Sequence, residues 1–306
     1  MHLTRRTILR GAMGGAMALG ASGLLPRRSF AASTLSLGGA TLDTLSDGNL
    51  VLPLSFVTPH EGAEAKLAEL GVTGAQVEPP CNVTLYRDGT NTVLFDVGAG
   101  PDFMPTAGKL GEALEALGVS PDDITHVIFT HAHPDHLWGV LDDFDEPLFA
   151  NATHLMGAAE LNYWLDPDTI NTIGAERQTF AAGAFRRLEL LKDRIETFEP
   201  EAELLPGIRA HASFGHTPGH MAFELAQGGA SAMIVGDAIG NAHLAFAVPD
   251  WASGSDQDTE MGVTTRLSLL SLLAERQMPM VGYHLPEGGI GRVEAVDGAY
   301  RFVAGV

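Results

Sequence analysis

One cysteine, three lysines and no apolar run long enough to span a membrane set the first limits on this 306-residue chain. A lone thiol, Cys81, cannot form an internal disulfide and cannot build a cysteine-rich zinc site. Basic residues are scarce as well. Eighteen Lys and Arg stand against 38 Asp and Glu, a formal net charge of −20. No local basic stripe offsets this, so the surface repels phosphate backbones and a nucleic-acid partner is excluded. Apolar residues make up 45% of the chain, enough for a sizeable core, which excludes wholesale disorder. The chain also carries twelve histidines, and their placement is its most informative feature.

The first residues read as an address. Arg5-Arg6-Thr7-Ile8-Leu9-Arg10 precedes a Gly/Ala-rich apolar stretch from Gly11 to Leu25, with small residues near Ala31. This pattern is similar to a twin-arginine export signal over residues 1–31. The expected mature chain runs from 32 to 306 as one domain, periplasmic or secreted, with no stable membrane insertion once the signal leaves. Removing residues 1–31 takes away five arginines and no acid, so the formal charge moves from −20 to −25.

Strand-like and helix-like segments alternate along the rest, which predicts an α/β or α+β sandwich with helices on both outer faces. A hairpin is expected around Asp47-Gly48 and a second around Asp88-Gly89. Residues 56–80 form a long connection with room for a short helix at Gly62–Leu70, and connections of that length usually serve as functional covers. Leu110, Ala113, Leu114 and Leu117 predict a helix closed by Gly118. Further helices are expected at Gly157–Leu165, Thr172–Lys192 and Glu260–Glu275, the last with Val263, Leu267, Leu270 and Ala274 on one face. Two apolar stretches, 56–80 and 241–251, are expected to be exposed as a flap or an interface.

His131-Ala132-His133-Pro134-Asp135-His136 follows the apolar strand Val127-Ile128-Phe129. In an extended segment alternate side chains share a face, so His131 and His133 can point at one ion. The turn at Pro134 sends Asp135 and His136 to an adjacent position. The segment Gly215-His216-Thr217-Pro218-Gly219-His220 lies between two strands, and Asp237 and His284 each sit where an apolar strand meets a loop, the place where sites on such scaffolds collect ligands. Nitrogen and carboxylate donors together suit zinc first, with manganese, iron or cobalt as alternatives.

With these residues in this order, the chain resembles the metallo-β-lactamase fold superfamily from about Leu42 to the C-terminus. The resemblance implies a four-layer αββα sandwich with a dinuclear metal site at the sheet edge. It implies that His131, His133 and His216 hold one divalent ion and Asp135, His136 and His284 the other, with Asp237 bridging. Asp96 matches a mainly structural aspartate that holds the ligand loops. The implied chemistry is hydrolysis of an ester-type bond by metal-activated hydroxide, with Asp135 and Asp237 as the catalytic carboxylates. An iron-dependent oxidoreductase or sulfur-handling enzyme on the same fold is the alternative.

Position 237 is Asp rather than Cys, which disfavours the β-lactamases with a cysteine ligand. Position 133 is His rather than Glu, which disfavours the diiron flavoproteins of this fold. The remaining likeness is to the methyl parathion hydrolase group and the quorum-quenching lactonases, so the expected substrate is a small lactone, aryl ester or phosphotriester. It rests on Leu45-Ser46-Asp47-Gly48, Gly215-His216-Thr217-Pro218-Gly219-His220 and the tail around Tyr283-His284-Leu285-Pro286. The tyrosine that typical N-acyl homoserine lactonases carry three residues after the bridging Asp is Gly240 here. Phe103, Trp138, Trp164 and Phe246 are expected to line the substrate pocket, with Tyr163 and Trp251 nearby. His60, His126, His154, His211 and His243 are expected in packing or at the surface, and His220 in support of a ligand. A homodimer is expected from the resemblance alone.

Overall fold

The computed structural model describes residues 31–57 and 59–306. The export signal expected over residues 1–31 lies, apart from Ala31, outside the described residues. Two seven-stranded sheets form the frame. The first runs in the order β1 (Ala31–Leu37), β2 (Ala40–Asn49), β5 (Pro80–Arg87), β6 (Thr92–Phe95), β7 (His126–Ile128), β8 (Thr153–Gly157) and β9 (Ile195–Phe198). The second runs β10 (Glu203–Leu205), β11 (Ile208–Ala212), β12 (Met221–Gln227), β13 (Ala230–Gly236), β14 (Met280–Gly282), β15 (Ile290–Val296) and β16 (Ala299–Ala304). A two-stranded ribbon pairs β3 (Leu52–Pro53) with β4 (Gln76–Val77).

Period-two alternation explains why the sheets stack. Val93, Phe95 and Ile128 of the first sheet share a buried layer with Ile208, Phe223, Ile234 and Val281 of the second. Their neighbours Leu94 and Val127 point the other way. They join Val83 and Leu85 under α3 (Leu110–Leu117), α5 (Ala158–Leu165) and α7 (Gln178–Leu191). On the far side Met233, Val235 and Met280 meet α8 (Leu244–Ala247) and α9 (Thr259–Arg276). The layers are therefore helix, sheet, sheet, helix, as the resemblance implies. The α3 helix buries Leu110, Ala113 and Leu114 and ends at left-handed Gly118, as its spacing predicts.

Three local expectations fail for physical reasons. Asp47-Gly48 is not a hairpin turn, because β2 runs through it. The Asp47 carboxylate is a buried clip that accepts the amides of Ala99 (2.8 Å), Gly108 (3.1 Å) and Leu110 (2.8 Å). Burial pushes its carboxyl up to about 6 despite those donors. Gly48 has φ +103°, and a Cβ there would lie 2.1 Å from the Thr106 carbonyl. The helix expected over Thr172–Lys192 is interrupted by Gly174 at φ +97°, leaving α6 (Thr169–Thr172) apart from α7. The buried stripe of α9 is Gly262, Arg266, Leu270 and Leu273, and Leu267 faces outward. The stripe shifts because Arg266 is pulled inward by the carbonyls of Pro249 and Trp251 and the carboxylate of Asp256.

Loss of the Asp47 clip leaves the buried amides of Ala99 and Leu110 and the half-buried amide of Gly108 without acceptors, each buried one costing about 1–3 kcal/mol. Asp47→Ala is expected to lower the unfolding free energy by about 3 kcal/mol or more in urea titrations. A loss below about 1 kcal/mol would show that these loops have other anchors.

The stretch 56–80 buries Ala63 and Leu67, and most of its other described residues are exposed. It holds the end of α1 (Leu54–Val57), then α2 (Ala63–Glu69) and β4. Leu67 of this stretch packs with Leu244, Val248 and Trp251, so the two apolar stretches meet through these side chains. His60 stacks on Trp251 with ring centroids 3.9 Å apart. Among the described residues no helix is long and apolar enough to cross a membrane.

Candidate metal centre

The site lies where strand ends from both sheets converge. The strand β7 leads into His131 and His133. Pro134 then starts the one-turn helix α4 (Pro134–Leu137), its fixed φ suiting the first helical position. That turn carries Asp135 and His136. His216 comes from the loop between β11 and β12, Asp237 from the end of β13, and His284 from the end of β14. All seven side chains are buried.

Their donor atoms face one another. His284 Nε2 is 3.2 Å from both Asp135 Oδ2 and Asp237 Oδ2. His136 Nε2 is 3.4 Å from Asp135 Oδ2 and 3.3 Å from Asp237 Oδ1. His216 Nε2 is 3.4 Å from Asp237 Oδ2 and 2.9 Å from His133 Nδ1. Donors about 2.0–2.2 Å from one tetrahedral ion stand roughly 3.3–3.6 Å apart, so these separations suit shared cations. The donor atoms of His131, His133 and His216 lie within 4.8 Å of one another, as do those of His131, His136 and Asp237.

Four buried atoms in the cluster have no hydrogen-bond partner: His131 Nε2, Asp135 Oδ2, His136 Nε2 and Asp237 Oδ1. Leaving them bare is costly, and a pair of cations would satisfy all four. The electrostatics agree. Burial works against charge on Asp135 and Asp237, yet His136 and His284 hold both carboxylates well below their usual range. In the same way burial opposes protonation of His136 and His284, but Asp237 and the other carboxylates hold both well above it. The cluster thus draws in positive charge. Burial and neighbouring imidazoles keep His131 and His133 well below their usual value, so their lone pairs are available. These residues fit a pair of divalent cations.

Three of the five ligand-type imidazoles have the other nitrogen held by a carbonyl or carboxylate oxygen, which fixes the ring and the tautomer. His136 Nδ1 donates to Asp96 Oδ2 at 2.7 Å, and Asp96 also accepts the Thr130 amide and hydroxyl. Asp96 sits at φ +64°, an uncommon backbone state for a non-glycine residue. His284 Nδ1 donates to the Pro80 carbonyl at 2.8 Å. His216 Nδ1 faces Asp256 Oδ1 at 3.3 Å. The Asp237 amide donates to His220 Nε2 at 3.0 Å, so His220 positions Asp237. Asp96→Asn is expected to weaken cation binding about 10–100-fold in a chelator-competition assay. Unchanged affinity would contradict an orienting role.

Sequence reasoning missed several supporting residues. Glu160 accepts from the Ala132 amide, the Trp164 indole, the Thr217 hydroxyl and the Gly219 amide, tying together the loops that carry His131 and His216. Asp256 stands between His216 and Arg266. Cys81 is buried, its thiol pushed up to about 12 by burial, and its sulfur lies within 4.8 Å of donor atoms of Asp135 and His284.

A cavity of about 640 Å³ opens onto His133, Asp135, His216, Asp237 and His284. Its walls are mostly apolar and include Leu52, Phe56, Val72, Val77, Phe103, Met104 and Phe180. Gly240 also lines it and contributes no side chain there. Phe103 is thus placed on the cavity, and three expected pocket residues are not. Trp138 packs against Gly183 and under the Arg187 guanidinium, 4.4 Å from its ring. Trp164 is fully buried behind His133, its indole N–H donating to Glu160 at 2.6 Å. Phe246 belongs to the core beneath α9, beside Phe302. Tyr163 packs on the helix layer and Trp251 on His60. His154 is buried in the core beside Phe129.

Comparisons with known proteins agree with this fold. The N-acyl homoserine lactonase AiiB of Agrobacterium fabrum is 31% identical over 109 residues, 29% of this chain and 37% of that protein. AttM of Azorhizobium caulinodans, also an N-acyl homoserine lactonase, is 29% identical over 110 residues, 36% of this chain and 39% of that protein. The chain therefore spans well under half the length of the curated relatives it matches. Among solved structures, AidC, a dizinc quorum-quenching lactonase with a bound product, superposes with a TM-score of 0.84 at 23% identity, covering 90% of this chain and 97% of that one. The hydrolase AbOPH of the beta lactamase superfamily gives 0.81 at 27% identity, covering 88% and 96%. The family model for the metallo-beta-lactamase superfamily matches residues 77–279, about two thirds of the sequence, and the chain belongs to that superfamily.

Proposed function

We propose that this chain is a metal-dependent hydrolase that opens lactones, or cleaves closely related esters, bearing an apolar arm. One observation carries the reading: an apolar cavity ends on a buried cluster of unpartnered imidazole and carboxylate atoms. His131, His133 and His216 would hold one divalent ion, Asp135, His136 and His284 the other, with Asp237 shared, and zinc suits the donor set best. When bound, such a pair of cations supplies Lewis acidity, which acidifies water and polarises an ester carbonyl.

The protein's own groups do the rest. The apolar walls exclude water and seat the arm, so the ester group is delivered to the open end of the cluster. Asp135 lines the cavity beside His133 and His284. It is the group placed to receive a proton there and to return it to the leaving alkoxide. Its main chain is held by the Tyr283 hydroxyl, which donates to the Asp135 carbonyl at 2.6 Å. Asp96, His220 and Glu160 keep the donors in place.

A panel of lactones, aryl esters and phosphotriesters, run on metal-replete protein beginning near Ala32, tests the reading. N-acyl homoserine lactones are expected to be turned over fastest, in line with the relatives' names. Activity on phosphotriesters alone would move the substrate class. No hydrolysis of any member would contradict the proposal. The start of the chain supports export in the folded state. Recovery from the periplasm of a protein beginning near Ala32 is the expected outcome, and retention of the full chain in the cytoplasm would contradict it.

A further inference from the structure

We propose that Cys81 is an additional soft donor to the cation held by Asp135 and His284, giving that half of the site a preference for thiophilic divalent ions. The inference rests on the reading that the cluster binds cations.

Its basis is position. Cys81 is in phase with Val83 and Leu85 on β5, so its strand directs it into the apolar layer under the helices. It sits at the end of that stripe, where core meets donors. The sulfur is within 4.8 Å of ligand-type atoms of Asp135 and His284, and Asp135 Oδ2 has no hydrogen-bond partner. The placement is locked on both sides. The Pro80 carbonyl accepts from His284 Nδ1 at 2.8 Å. The Asn82 side chain donates to the carbonyls of Gly282 (3.3 Å) and Leu285 (2.8 Å), and its amide donates to the Tyr283 carbonyl at 2.9 Å. The residues flanking Cys81 therefore clamp the loop that carries His284, and the thiol cannot drift from the cluster.

The chemistry follows from softness. A sulfur bound to a divalent cation loses its proton, and thiolate favours zinc, cobalt or cadmium over manganese or magnesium. An enclosed thiol with no cation beside it behaves as a small apolar side chain. The two states differ spectroscopically, and Cys81 is the only cysteine in the sequence, so any thiolate signal belongs to it.

The test is a cobalt(II) titration of metal-stripped mature protein, followed by absorption spectroscopy. Bound cobalt reports itself through visible ligand-field bands, and a thiolate on cobalt adds a near-ultraviolet charge-transfer band. The wild-type protein is expected to show both. Cys81→Ser is expected to keep the visible bands, lose the charge-transfer band and bind cobalt about tenfold or more weakly at one site. Visible bands without the charge-transfer band in the wild-type protein would overturn the proposal without any variant. So would a charge-transfer band that survives in Cys81→Ser. A protein that takes up no cobalt overturns the cation-binding reading itself, and this inference with it.

Discussion

Asp237→Ala is expected to lower lactone turnover by more than about a thousandfold and to leave less than a full pair of ions bound. The reason is its central position. Asp237 Oδ1 is 3.3 Å from His136 Nε2, and its Oδ2 is 3.4 Å from His216 Nε2 and 3.2 Å from His284 Nε2. It is the acid that faces imidazoles of both proposed halves. Truncation removes the negative charge that holds His136 and His284 well above their ordinary range, and it leaves several imidazoles crowded together. The fold should survive. Asp237 follows β13, whose Met233, Ile234 and Val235 are anchored in two core layers independently of the carboxylate. Circular dichroism should therefore be unchanged while elemental analysis and turnover both fall. A variant with wild-type turnover and a full complement of ions would contradict the assignment.

The second large effect concerns the arm of the substrate. The cavity walls are aliphatic and aromatic, drawn from the cover residues 50–80 on one side and from Phe103, Met104 and Phe180 on the other. Each methylene moved from water into such a wall gains about 0.8 kcal/mol, close to fourfold in binding. From a butanoyl to an octanoyl arm the expected gain in kcat/KM is about two hundredfold. It should then level off as the arm reaches the cavity mouth. The gain should appear in kcat/KM, because the arm is remote from the reacting bond and binds alike in ground and transition states. A flat or falling series would show that the arm lies elsewhere, and that the cavity serves another molecule.

Much of this was legible in the sequence because the motif is local. His131, His133, Asp135 and His136 lie within six residues, and strand periodicity plus one proline turn suffices to aim them. Asp237 and His284 were legible through their place at strand ends, and the resemblance singled out His216 rather than His220 within its loop. Both apolar layers of each sheet follow from alternation, as in Val93, Leu94 and Phe95. What was hidden depends on contacts between distant segments. Glu160 reads as an ordinary helical glutamate until α5 is laid against the loops of Ala132 and Gly219. Asp47-Gly48 has the composition of a turn, and only the arrival of Ala99, Gly108 and Leu110 makes it a clip. Cys81 lies fifty residues or more before the donors it approaches. Aromatic side chains misled for a related reason. Phe103, Trp138, Trp164 and Phe246 are equally apolar, and composition cannot tell a cavity wall from a core.

The most direct test of the central claim is the hydrolysis of an N-acyl homoserine lactone by one protein preparation in three states: as purified, stripped by a chelator and dialysed, and reloaded with zinc. Metal content is measured by elemental analysis in each state. The account predicts that ring opening disappears with the metal and returns with it, while the fold, followed by circular dichroism, is retained. A stripped protein, verified free of metal, that opens the lactone at the original rate would contradict it.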